Sequence, residues 1–148
     1  MFSLIAGAGV FAADRFIKDK VEKGEIADGR KFIKNAVEIR KSYNSGFAMN
    51  KADDKPRLVL VITAAVFGMA FMLYLKTFTK KHKKIKRFGL GLVLGGALSN
   101  LFDRFKNDKV TDYAILKGHD KVAFNIGDIA VCLGAAIAAF GEIISDED

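Results

Sequence analysis

Residues Leu58–Leu75 read LVLVITAAVFGMAFMLYL, 18 consecutive positions without a charge. A helix needs about 20 apolar residues, at roughly 1.5 Å each, to cross a hydrocarbon core of about 30 Å. This stretch meets the requirement almost cleanly, and the rest of the chain is read outward from it. Downstream, Lys80–Arg87 holds six Lys or Arg in eight positions with no acid. Phe88–Phe102 is apolar until Asp103 and Arg104, and reaches span length by including them. Val122–Gly141 is apolar apart from Asn125 and one acid, Asp128. Upstream, Met1–Ala13 is short, and extends to Ile17 only if Asp14 and Arg15 are carried along.

The reading is therefore one integral membrane domain over 1–148, with spans at 1–17, 58–76, 88–104 and 122–144. The outer loops are then 18–57 and 105–121. A basic run between two spans marks the cytoplasmic side. An even number of spans places both termini there, and the acidic tail Asp146-Glu147-Asp148 has little influence on orientation. A cleaved leader ending near Ala13 is the competing reading of the first stretch, but no Lys or Arg precedes it, and a leader wants a positive n-region.

Composition agrees with this segregation. The chain has 24 Lys and Arg against 17 Asp and Glu, a net charge of +7, 51% apolar residues and a mean hydropathy of +0.17. Disorder is excluded by the apolar content. The basic balance would suit nucleic acid, but charge placed beside apolar spans is better read as membrane anchoring, so no nucleic-acid partner is expected. The lone Cys132 excludes an internal disulfide and a Cys-ligated zinc site, and is expected as a small buried residue of the fourth span. His82 and His119 form no metal pair in sequence, and neither metal nor cofactor is expected. The glycines Gly89, Gly91, Gly95 and Gly96 are expected to pack helices closely within the bundle. Val37-Glu38-Ile39 alternates and Asn44-Ser45-Gly46 signals a turn, so a small strand or hairpin is expected around 31–50.

Acids at membrane depth cost roughly 2.5–3.5 kcal/mol each on insertion scales, which makes them functional candidates. The third span ends in Asn100-Leu101-Phe102-Asp103 and the fourth begins with Asn125-Ile126-Gly127-Asp128. At this spacing each Asn and Asp share a helix face, with Asp128 expected about 9 Å into its helix. Up-and-down topology brings both pairs to the outer side, with Asp112 in the loop between them. Structural polar glue, a proton or cation pathway, and aspartic proteolysis by two carboxylates sharing a proton all remain open on these residues alone.

The boxes Gly95–Arg104, Val110-Thr111-Asp112-Tyr113 and Phe124–Asp128 resemble the C-terminal half of the lipoprotein signal peptidase (signal peptidase II) family. Asp14-Arg15-Phe16-Ile17-Lys18 resembles its Asp-x-x-x-Lys signature, and Asn44-Ser45-Gly46-Phe47-Ala48 its Asn-x-Gly box. The resemblance implies an all-α membrane protein, a four-transmembrane-helix bundle with a small extracytoplasmic β-containing cradle. It implies a monomeric aspartic endopeptidase of the cell membrane that removes the signal peptide from diacylglyceryl-modified prolipoproteins, with lipid and the prolipoprotein as partners. The catalytic pair then falls on Asp112 and Asp128. Asn44, Gly46, Asn100, Asp103, Arg104, Asn125 and Asp14 fall on supporting positions. Asn100 and Asn125 would orient the two carboxyls, Arg104 would hold a substrate carbonyl or lipid-linked group, and Asp14 and Asp103 would pair with Lys18 and Arg104. Departures from the family pattern are Gly127 for Ala, Ser99 for Gly, Thr111 for Val, and Ala48-Met49-Asn50 without the usual second Ala and Phe. The alternatives are a carboxylate-lined transport protein and a catalytically inactive lipoprotein-binding paralogue.

Overall fold

A computed structural model describes residues 1–46, 53–79, 83–118 and 122–144. The Phe47–Asn50 part of the Asn-x-Gly box, His82, His119, the start of the basic run and the acidic tail lie outside the described residues. In chain order the elements are α1 (Phe2–Glu22), β1 (Lys31–Phe32), β2 (Val37–Asn44), α2 (Pro56–Lys76, continued by a 3-10 turn Thr77–Thr79), α3 (Lys84–Asn107), β3 (Val110–Leu116), β4 (Ala123–Phe124) and α4 (Ile126–Ile143).

Local chemistry sets the helix ends. Pro56 opens α2, where its missing N–H costs nothing. Asp108 closes α3 in the left-handed conformation at φ 56°, a role short polar residues tolerate. Asn125 caps α4: its side chain accepts the Asp128 N–H while the Asp128 carboxylate accepts the Asn125 N–H. Asp128 therefore lies in the first turn of α4, not six residues deep as the sequence suggested, and the Asn125–Asp128 spacing is that of a capping box rather than of a shared helix face. The first helix is also longer than the expected 1–17, because Lys18 and Val21 continue its buried side to Glu22 while Asp19, Lys20 and Lys23 lie toward its surface.

Glycines make α3 the central helix. A Cβ on Gly91 or Gly95 would run into the backbone of Ser3 and Gly7, so one face of α3 lies against α1. A Cβ on Gly89 or Gly96 would meet the backbones of Gly134, Ala138 and Gly127, so another face lies against α4. Close packing on two sides requires residues without side chains on both, and the expected role of these glycines inside the bundle is what the fold shows. On α4 the reciprocal stripe is Gly127, Ala130, Gly134, Ala138 and Gly141, all buried. Cys132 lies half a turn from this stripe and is exposed, which overturns its expected burial. On α2 only Val59 and Tyr74 are buried. Its remaining surface is apolar, and Pro56–Thr79 and Ile126–Ile143 are the two helices among the described residues long and apolar enough to cross a membrane.

The strands form one antiparallel sheet in the order β1-β2-β3-β4, with Val37 opposite Leu116 and Asn44 opposite Val110. The expected hairpin is present as β1 and β2. Strand β3 lies inside the stretch that reads in sequence as a plain loop. Val21, Ile39, Tyr113 and Ala114 form a core with Ile17, Phe124 and Ile126 that seats the sheet across the ends of α1 and α4.

Candidate active site

Positions 93, 97, 100 and 104 repeat at helical spacing and put one face of α3 on a cavity of about 650 Å³. Val131 and Cys132 of α4 and Thr63, Val66, Phe67 and Ala70 of α2 complete its walls. These walls are apolar. At the sheet end the lining changes to Asn44, Asn100, Arg104, Asp112 and Asp128. Such a space admits an apolar body and presents polar groups to one end of it.

Asp112 reaches this end from β3 and is 4% exposed. Asn125 Nδ2 donates to Asp112 Oδ1 at 2.7 Å and to Asn100 Oδ1 at 3.1 Å. Asn100 Nδ2 donates to Asp128 Oδ1 at 2.7 Å. Two carboxamides thus link two carboxylates in one chain of hydrogen bonds. Burial pushes the Asp112 carboxyl up to about 7, the nearby Asp128 charge adds to this, and the Asn125 bond, Lys18 and Arg104 pull the other way. Near neutral pH it is poised between its two states.

Lys18 determines which way these amides face. It is 1% exposed and lies 2.9 Å from Asn100 Oδ1, 2.8 Å from Asp14 Oδ2 and 2.9 Å from Asp103 Oδ2. An ammonium only donates, so the Asn100 oxygen turns to it and the amide nitrogen is left for Asp128. Asp14 is fully buried and also accepts from Ser99 Oγ at 2.6 Å and from the Tyr113 hydroxyl at 2.8 Å. Burial and the neighbouring Asp14 push the Tyr113 phenol well above its ordinary value, keeping it a neutral donor, and its oxygen accepts the Ile126 N–H at 2.9 Å. Asp103 binds Arg15 and accepts the Thr111 N–H at 3.3 Å, which tethers β3 one residue before Asp112. Two buried carboxylates, the buried Lys18 and the half-buried Arg15 satisfy each other, as buried charge requires.

Of the sequence-selected residues, Asn44, Asn100, Arg104, Asp112 and Asp128 line the cavity and Asn125 lies behind them. Gly46 donates its N–H to Asn44 Oδ1 at 3.0 Å and accepts from Arg104 Nη2 at 2.8 Å. Asp14 pairs with Lys18 as expected. Asp103 does not pair with Arg104: adjacent helical residues diverge by about 100°, and Asp103 turns to α1 while Arg104 faces the cavity. The buried Nε of Arg104 has no hydrogen-bond partner among the described residues. Sequence reading missed Tyr113, Arg15 and Glu22. Glu22 accepts from Thr111 Oγ1 at 2.8 Å and Tyr43 at 2.9 Å. Two of the departures, Ser99 and Thr111, are therefore used here: each hydroxyl bonds a carboxylate of α1. Gly127 fits its place as well, since a Cβ there would come within 2.9 Å of Asn125 Oδ1 and 3.0 Å of Gly96 O.

A profile of the family described as "Signal peptidase (SPase) II" matches residues 6–144. A Mesorhizobium japonicum protein named lipoprotein signal peptidase is 34% identical over 97% of this chain and 85% of its own length. Proteins of the same name from Teredinibacter turnerae and Maridesulfovibrio salexigens are 33% and 41% identical over 71% and 66% of this chain, and 64% and 63% of their own lengths. Two solved bacterial membrane enzymes, obtained by the in meso method at 2.3 and 1.9 Å, share the fold with TM-scores of 0.80 and 0.73. They cover 99% and 94% of this chain at 21% and 22% identity, and 90% of each neighbour is matched.

Proposed function

Because this chain belongs to the signal peptidase II family, we propose that it is an aspartic endopeptidase that cuts the signal peptide from diacylglyceryl-modified prolipoproteins, with Asp112 and Asp128 as the catalytic pair. In this reading all four helices span the cell membrane, both termini are cytoplasmic, and the sheet and the polar end of the cavity lie at the outer face. The observation that carries it is the placement of two carboxylates, bridged by Asn100 and Asn125, at the polar end of an apolar cavity.

The chemistry is that of two acids sharing a proton. The ionised carboxylate removes a proton from a water held between the pair, and the resulting oxygen attacks the scissile carbonyl carbon. The neutral acid gives its proton to the carbonyl oxygen, so the tetrahedral intermediate is an uncharged diol. Collapse returns a proton to the leaving nitrogen and restores the pair. Which acid begins neutral belongs to the pair rather than to either residue. Asn100 and Asn125 aim the carboxyls, the free Nε of Arg104 is positioned to hold a substrate carbonyl, and the apolar walls accept the lipid-linked part of the substrate.

The test is cleavage in proteoliposomes of a lipidated and an unlipidated precursor side by side. Asp112→Asn and Asp128→Asn are expected to insert normally and to lose cleavage by at least about 10³-fold, the scale set by removing a proton-transfer group. Full activity in either variant would sink the pair, and equal cleavage of both precursors would sink the lipid requirement.

A further inference from the structure

The β1–β2 hairpin ends in Arg30-Lys31-Phe32-Ile33-Lys34-Asn35, which holds three cations and no acid. Phe32 is 40% and Ile33 75% exposed, and all six residues are surface residues. Three successive residues, Ile33, Lys34 and Asn35, hold positive φ values of 50°, 53° and 68°. The left-handed region is unfavourable for side-chain-bearing residues and most so for a β-branched one. Here that conformation is adopted without burying Ile33 in the protein's own core. Lys34 and Asn35 are the centre of the hairpin turn closed by the Ala36 N–H to the Ile33 carbonyl at 3.0 Å, where positive φ is favoured. At Ile33 neither turn propensity nor packing accounts for it, and an unexplained outlier of this kind points toward function.

The tip's position points the same way. Ile39, Tyr113 and Ala114 seat the sheet on Val21 of α1 beside Ile126 of α4, so the sheet lies across the bundle end. Asn44 at one end of β2 reaches the cavity. Val37, seven residues back, is about 23 Å away at 3.3 Å per residue. The tip therefore lies at the end of β2 away from the cavity, beyond Val37, which packs on the core at the end of α1. Arg30 stacks over the Phe32 ring at 5.2 Å, which groups charge and apolar surface into one patch. Among the described residues no ion pair engages Arg30, Lys31 or Lys34. A basic rim around protruding apolar side chains matches an anionic phospholipid surface, headgroups to the cations and the acyl boundary to Phe32 and Ile33.

We infer that the hairpin tip 30–35 docks into the outer-leaflet interface of anionic membranes and braces the sheet over the catalytic end. The inference goes beyond the cleavage reaction and rests only on the outward placement of the sheet. The chain contains no Trp, so Ile33→Trp in the full-length protein is a clean reporter. Phe32→Trp repeats it without altering the positive-φ position. Each variant is placed in vesicles of phosphatidylcholine alone and of phosphatidylcholine with phosphatidylglycerol. Expected in the anionic vesicles are blue-shifted emission, quenching by brominated lipid and protection from aqueous iodide. Replacing Arg30, Lys31 and Lys34 by Gln should lower the ratio of inserted to water-exposed tip roughly fivefold per cation, the equivalent of about 1 kcal/mol each. Iodide-accessible emission in both vesicle types, insertion indifferent to lipid charge, or shielding that arises only when a lipoprotein precursor is added would each overturn it. Cleavage in the same vesicles separates the two readings: an active enzyme with a water-exposed tip refutes the docking alone.

Discussion

At Asp112 the protein holds a carboxyl where its ionisation is costly. Its pKa moves from the ordinary 3.8 to about 7, so between those limits the folded chain binds more protons than the unfolded one. Stability from this group is present below about pH 4, falls as pH rises toward 7, and stays lost above it. Asp112→Asn keeps the oxygen that Asn125 donates to and removes the charge. It should therefore unfold at a higher temperature than wild type at pH 8 and match it near pH 4, while on the proposed mechanism it loses cleavage. Each tenfold change in proton affinity is worth about 1.4 kcal/mol, which makes the gain a few kcal/mol at most. Thermal unfolding in detergent across this range checks the sign, and a less stable variant at pH 8 would contradict it. If the proposed pair works with one shared proton, cleavage by the wild type should decline above about pH 7 as Asp112 ionises. Lys18 acts in the opposite sense. Lys18→Met leaves Asp14 and Asp103 buried with too little positive charge, at a cost of about 3–5 kcal/mol, and frees the Asn100 amide to turn. Folded yield should collapse, and the addition of Asp14→Asn should recover part of it; no recovery would show that the two charges are not coupled.

At the scale of elements, backbone contact between helices decides more than side-chain interlocking. Gly95→Val places three carbons against the Gly7 backbone, which cannot yield without separating α1 from α3. Gly68, on α2, has nothing within 4 Å of the Cβ site. Gly68→Ala should be neutral or stabilising by roughly 0.5–1 kcal/mol, whereas Gly95→Val should cost at least the 1–3 kcal/mol typical of overpacking. Resistance to detergent unfolding distinguishes them, and equal behaviour would disprove the close α1–α3 approach. These glycines, the long apolar segments and the β1–β2 hairpin are legible in the sequence because each writes a local pattern. Strand β3 is not, since six of its seven residues are buried and VTDYAIL lacks the alternation of a one-sided strand. The position of Asp128 is hidden for a different reason: Asn-x-x-Asp fits both a shared helix face and a cap, and only the preceding β4 strand shows that the helix has not yet begun. Tyr113 and Glu22 leave no sequence mark, because their partners are 99 and 89 residues distant.

Across the whole molecule, charged groups gather at the two ends and apolar surface lies between them. At one end Lys83 and Lys86 pair with Glu142 at 2.6 and 2.8 Å, and Arg87 bonds the Thr77 carbonyl and stacks on Phe78. These contacts gather the start of α3 and the ends of α2 and α4 into one basic cap. At the other end lie the sheet, the carboxylates and the mouth of the cavity. Between them α2 exposes Val61, Val66, Met69, Met72 and Leu75, a surface stable only against lipid or another apolar body. In the proposed topology, with Lys and Arg held on the cytoplasmic side, the basic cap faces inward and the carboxylates outward. Single-cysteine labelling can decide this once Cys132, itself exposed on the cavity wall, is replaced by Ser. Lys23→Cys, at the exposed end of α1, should react with a membrane-impermeant maleimide in intact spheroplasts. Lys84→Cys, at the start of α3, should react only after lysis. The reverse pattern would invert the enzyme and strand its acids on the side where no exported lipoprotein precursor arrives. Labelling of both sites from outside would contradict the proposed four-span topology and with it the proposed location of Asp112 and Asp128 at the outer interface.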